Sequence, residues 1–170
     1  MKKLILIVLL AVTLAILPGC AANSPNPAAV VLGQEIKSDK PRVTSPDNSA
    51  SDLAALVEGN NAFALDLYQI LSKNEGNMFY SPYSLSEALA MTYAGARGTT
   101  ETDMAKALDF TLAQDKLHAA FNALDLQLKQ RGQGAQGADG KGFRLNVVNA
   151  IWGQTGYDFL AAYLDILAQN

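Results

Sequence analysis

The sequence predicts an α+β fold in which helices dominate and two extended runs supply the strand content. Three observations lead there. Apolar residues recur at helical spacing over several windows of ten to twenty residues. One helix, opening at Ser81-Pro82, is apolar nearly all round, as a helix at the centre of a core must be. Two runs, Asn77–Tyr80 and Phe143–Trp152, carry the aromatic and β-branched residues of strands. The chain divides into an export signal over residues 1–19, a disordered tether over 20–51 and a folded domain over 52–170.

Lys2 and Lys3 form a positive n-region, and Leu4 to Leu17 is an apolar h-region too short to span a bilayer comfortably. It ends in Leu17-Pro18-Gly19-Cys20. Small residues before a lone cysteine resemble a bacterial lipobox, which makes Cys20 the lipidation site and first residue of the mature protein. An ordinary cleaved signal with an incidental cysteine is the other reading. Acyl chains on Cys20 would anchor the protein, each buried CH₂ contributing about 0.8 kcal/mol. The expected location is extracytoplasmic, lipid-anchored to the cell membrane, or the extracellular space if the anchor is absent. Ala21 to Ser51 is interrupted by Pro25, Pro27, Pro41 and Pro46, with only Val30-Val31-Leu32 as an apolar cluster. Such a composition does not offset chain entropy and reads as a flexible spacer.

The first helix is expected from Asp52, as its cap, to about Lys73. Leu53, Leu56, Val57, Phe63, Ala64, Leu67, Ile70 and Leu71 form its stripe. Asn74 to Asn77 turns the chain into the extended run ending at Tyr80. Ser81 caps the next helix and Pro82 sits where a missing N–H costs nothing. Leu85, Ala88, Leu89, Ala90, Met91, Tyr93, Ala94 and Ala96 leave that helix no polar face, so Leu89 is expected in the core; Glu87, its only charge, is expected at an exposed edge. Gly98 ends it, and a short helix follows from about Thr100 to Leu108, with Glu101 and Asp103 suiting the dipole of its first turn. A fourth helix runs from Gln114 to about Arg131 on Leu117, Phe121, Leu124 and Leu128; His118, beside that stripe, is expected to be solvated. Gly132 to Gly142 holds five glycines, but it lacks the Gly-Lys-Ser/Thr ending of a phosphate loop and follows a helix, so it reads as a surface loop. Phe143–Trp152 is apolar on both faces towards its end and is expected inside a covered sheet. Leu160, Tyr163, Leu164 and Leu167 begin a last helix.

The ordered set Asn77-x-Phe79-x-Ser81-Pro82-x-Ser84-Leu85, then Ala88-Leu89-Ala90-Met91 and Gly95-Ala96-Arg97-Gly98-Thr99-Thr100, resembles the serpin signature. Leu145 to Trp152 resembles the second strand of the large serpin sheet. The likeness covers Ser51 to Asn170. It implies the N-terminal, helical part of a serpin fold, with one short strand and one strand of the main sheet, less than the first half of that domain. The remainder of such a domain would hold most of both sheets, the reactive loop and a histidine that joins the serines. The resemblance assigns Asn77, Ser81, Ser84 and Asn149 to the region where the main sheet opens, as conformational residues. It implies inhibition of serine, or sometimes cysteine, proteases by a strain mechanism in the complete protein. The alternative is a non-inhibitory extracytoplasmic helical binding module or a decayed serpin fragment.

Composition narrows the field further. Net charge is −3, and without Lys2 and Lys3 eleven basic residues face sixteen acidic ones, leaving no phosphate footprint for nucleic acid. One cysteine excludes an internal disulfide, and one histidine excludes a histidine-based metal cluster. No Gly-x-Ser-x-Gly occurs, and His118 is the only histidine available as a base for Ser81 or Ser84. No enzyme activity, metal or cofactor is expected. The partners expected are proteases and a membrane.

Overall fold

The computed structural model describes residues 33–131, 134, 136–142, 145 and 147–170. The signal, Cys20 and the first part of the tether lie outside the described residues. Five helices occur among those described: α1 Ala50–Leu71, α2 Pro82–Tyr93, α3 Thr99–Ala107, α4 Gln114–Arg131 and α5 Ala161–Gln169. Glu35–Asn170 forms one unit, in which α1 packs on both α2 and α4.

Helix α1 begins two residues before the expected cap. Ser49 takes that role: its hydroxyl accepts from the Asp52 N–H at 3.1 Å, and the Asp52 carboxylate accepts from the Ser49 N–H at 2.8 Å. This reciprocal capping box satisfies two backbone donors that a helix start otherwise leaves open. The buried stripe of α1 is narrower than its apolar residues suggest. Leu56, Gly59 and Phe63 are buried and Leu67 packs beside them, whereas Val57 and Ile70 are exposed. Gly59 is there for closeness. A Cβ at that position would lie 2.3 Å from the backbone oxygen of Asp109, so the turn after α3 rests directly on α1.

Helix α2 opens as expected. The Ser81 hydroxyl accepts from the Ser84 N–H at 3.3 Å, and Pro82 stands at the first helical position. It is not buried all round. Ser86, Ala90 and Tyr93 form the inward face, while Leu85 and Leu89 are exposed, which corrects the placement of Leu89 in the core. The reason is angular: positions 86, 90 and 93 share one face of a 3.6-residue helix, and 85 and 89 share a neighbouring one. The helix also ends earlier, at Tyr93. The N–H groups of Ala94, Gly95 and Ala96 close its last turn on the oxygens of Ala90, Thr92 and Tyr93, and side chains bond to the carbonyls around this end. Arg97 donates to the oxygens of Ala94 and Ala96, and the Gln114 amide donates to those of Tyr93 and Ala96.

Leu56, Phe63, Ala90, Tyr93, Leu108, Phe110, Leu117 and Phe121 meet in one core. Tyr93 meets Phe110 edge-on with centroids 5.4 Å apart, and Phe110 meets Phe121 in the same way at 6.0 Å. Such edge-to-face pairs add roughly 0.5–1.5 kcal/mol each beyond the area they bury.

The expected strands are absent from the described residues, whose only ladder contact is an antiparallel bridge from Gln136 to Gly142. A strand needs a partner for its backbone groups. Asn77–Tyr80 has none, and is held instead by the Tyr80 hydroxyl donating to the Ala64 oxygen at 3.3 Å. Of Phe143–Trp152, Phe143, Arg144 and Asn146 lie outside the described residues, and 147–152 runs without regular secondary structure. The fold is therefore mostly helical. Residues 33–49, in the expected tether, also lack regular structure, yet from Ser38 onward they bond to α4 and α5.

Candidate functional site

The residues singled out in the sequence gather around α2. Ser81 caps its start and Ser84 lies in its first turn, and their hydroxyls are 3.0 Å apart with Ser81 donating. Asn77 lies exposed four residues before Ser81, in the irregular segment that leads in. Asn149 arrives from the far end of the chain. Its side-chain amide donates to the Glu87 carboxylate at 2.6 Å, one turn beyond Ser84. The structure thus joins Asn149 to the same helix as the two serines, through Glu87.

Glu87 is not the exposed edge charge that the sequence suggested. It is half-buried, and burial pushes its carboxyl above the usual range, against the opposing pull of the Asn149 hydrogen bond. Tyr83, one turn back on the same helix, has a buried hydroxyl without a partner among the described residues. Burial first, and the Glu87 charge second, push its ionisation upward. Both groups are therefore biased to their neutral forms.

His118 corrects a second expectation. It is 6% exposed, packed 6.4 Å from the Tyr93 ring, and its Nε2 has no partner among the described residues. Burial, with the Arg97 charge as a lesser cause, lowers its pKa to about 4. His118, Phe121, Asn122 and Asp125 stand at i, i+3, i+4 and i+7, so they form a second inward stripe beside the apolar one. That spacing was legible, but its polar residues hid it. Glu87, Ala90, His118, Phe121, Asn149 and Ile166 line a cleft of about 180 Å³ between α2, α4 and α5.

The serine hydroxyls bond to each other, and among the described residues the Nε2 of His118 hydrogen-bonds to neither of them. Among the described residues no cluster of three or more His, Cys, Asp or Glu could hold a metal ion, and no helix is long and apolar enough to cross a membrane. The site can instead couple elements: α2 to the segment at Asn149, and α1 to α2 where the buried Ser86 hydroxyl donates to Asn60.

A sequence model of the family described as serpin (serine protease inhibitor) matches residues 58–170. An uncharacterized serpin-like protein of Thermococcus kodakarensis is 33% identical over 96% of this chain and 38% of its own length. The leukocyte elastase inhibitor A of Mus musculus is 35% identical, and the leukocyte elastase inhibitor of Sus scrofa 37%, each over 64% of this chain and 27% of its own length. The chain thus spans between about a quarter and two fifths of the length of these relatives. No solved structure matches it.

Proposed function

Because this chain belongs to the serpin family, whose members are protease inhibitors rather than enzymes, we propose that it is the N-terminal, helical portion of an extracytoplasmic serpin that inhibits serine proteases. The observation that carries this reading is the family match from residue 58 to residue 170, supported by relatives named for inhibition of an elastase. In the complete protein a protease would cleave an exposed loop as substrate. The loop would then enter the main sheet and distort the acyl-enzyme before water resolves it.

In that cycle the residues around α2 serve conformation. Ser81 and Ser84 hold the start of the helix, and Asn149 ties the segment from 147 onward to it through Glu87. A tie of a few hydrogen bonds is the right scale, since each contributes about 1 kcal/mol and can exchange as a sheet opens. Lipidation at Cys20 would hold the inhibitor at the outer face of a cell membrane, a role supported by the Leu17-Pro18-Gly19-Cys20 motif.

The test is to titrate a serine protease of elastase-like specificity with the complete protein and follow residual peptidase activity. Loss of activity that is time-dependent and near one-to-one supports the proposal. Full activity at molar excess, across a panel of serine proteases, contradicts it.

A further inference from the structure

Residues 38–48 precede the stretch matched by the family model and lie inside the stretch aligned with the Thermococcus protein. They have no helix or strand of their own. Their bonds nevertheless converge on one buried side chain. Asn122 of α4 is 0% exposed. Its carbonyl oxygen accepts from Arg42 Nε at 2.9 Å and Nη2 at 2.7 Å. Its amide donates to the Val43 oxygen at 2.7 Å and to the Gln169 oxygen at 3.2 Å. All four hydrogen-bonding positions of the amide are filled, by groups from two other parts of the chain.

The carbonyl of Gln169 in α5 meets the same node. It accepts from Asn122 and also from the Val43 N–H at 2.9 Å. The same segment reaches α5 at a second point, where Ser38 donates to Asp165 and Lys40 pairs with it at 2.8 Å. Arg42 also pairs with Asp125 of α4 at 2.6 Å, and Asp125 is only 13% exposed at its side chain.

We propose that Ser38–Asn48 is a conformational clasp that holds α5 against α4 through the Arg42–Asn122–Gln169 node. The segment leading out of the export signal thereby controls the order of a helix more than a hundred residues away. This inference does not depend on protease inhibition.

Hydrogen exchange on the full chain tests it, comparing wild type, R42A and D125N. R42A leaves the Asn122 oxygen without its donors. Amides 163–170 are expected to exchange about tenfold faster in R42A, while those of α1 stay within about twofold. D125N removes the charge that pairs with both Arg42 and Lys129 while leaving the Arg42–Asn122 bonds, and guards against failure of R42A to fold; its rise is expected to be about threefold, again confined to α5. No rise at α5, or an equal rise in α1 and α5 in both variants, overturns the proposal.

Discussion

Burial of His118 beside Tyr93 makes one imidazole proton a stability variable. Its folded pKa is about 4, against an ordinary value of 6.5. Between those two values the unfolded chain holds a proton that the folded chain rejects, so stability falls as pH drops through that window. A displacement of this size corresponds to roughly 3 kcal/mol, lost between about pH 6.5 and 4. Glu87 opposes the trend, because its raised pKa makes the fold more tolerant of acid. The difference between wild type and His118→Gln isolates the histidine. Urea denaturation from pH 8 to 4 is expected to show a steeper acid loss in wild type; parallel curves would place His118 in water. At Cys20 the expectation is chemical. Intact mass should show acylation, and Cys20→Ser should move the protein from the membrane fraction to the soluble one. An unmodified wild-type mass rejects the anchor.

At the scale of elements, α2 and α1 each carry a prediction. Ala90 is buried and Leu89 is 37% exposed. Ala90→Asp is expected to cost several kcal/mol, because it buries an unpaired carboxylate, whereas Leu89→Asp loses only partial burial, about 1 kcal/mol. Equal losses in chemical denaturation would show that α2 is oriented otherwise. Gly59→Ala gains about 1 kcal/mol of helix propensity but drives a methyl onto the Asp109 carbonyl. Overpacking costs up to about 3 kcal/mol, so a net loss of about 2 kcal/mol is expected, and a stabilised variant contradicts the close contact. The helices were largely legible in the sequence because their signals are local. Ser81-Pro82 marks the start of α2, and Gln114 to Arg131 bounds α4 as observed. The orientation of α2 was not legible, because its polar residues do not mark the outer face: Ser86 is buried and Glu87 half-buried, while Leu85 and Leu89 are exposed. His118 and Asn122 were missed for the converse reason. They are polar residues whose burial depends on partners distant in sequence, Arg42 and Gln169 for Asn122. The strand expected over Phe143–Trp152 has the right pattern, but pattern alone supplies no neighbour for its backbone.

Over the whole molecule the apolar surface stands out. Phe79, Val148, Trp152 and Leu160 are each more than three quarters exposed. They fall on the two runs that read as strands and on the entry to α5, the places where a serpin sheet would be assembled. The described core, by contrast, is closed by Tyr93, Phe110 and Phe121 and ties all of α1, α2 and α4 together. A helical half that is packed and an extended half that is bare match the proposed part in a larger inhibitor. The most direct measurement is to incubate the complete protein with a susceptible serine protease and run the mixture on a denaturing gel. The account predicts a complex that survives boiling in detergent, with a mass equal to protease plus inhibitor less the peptide released by loop cleavage. Cleavage of the loop with no surviving complex, or inhibition that disappears on denaturation, would contradict it.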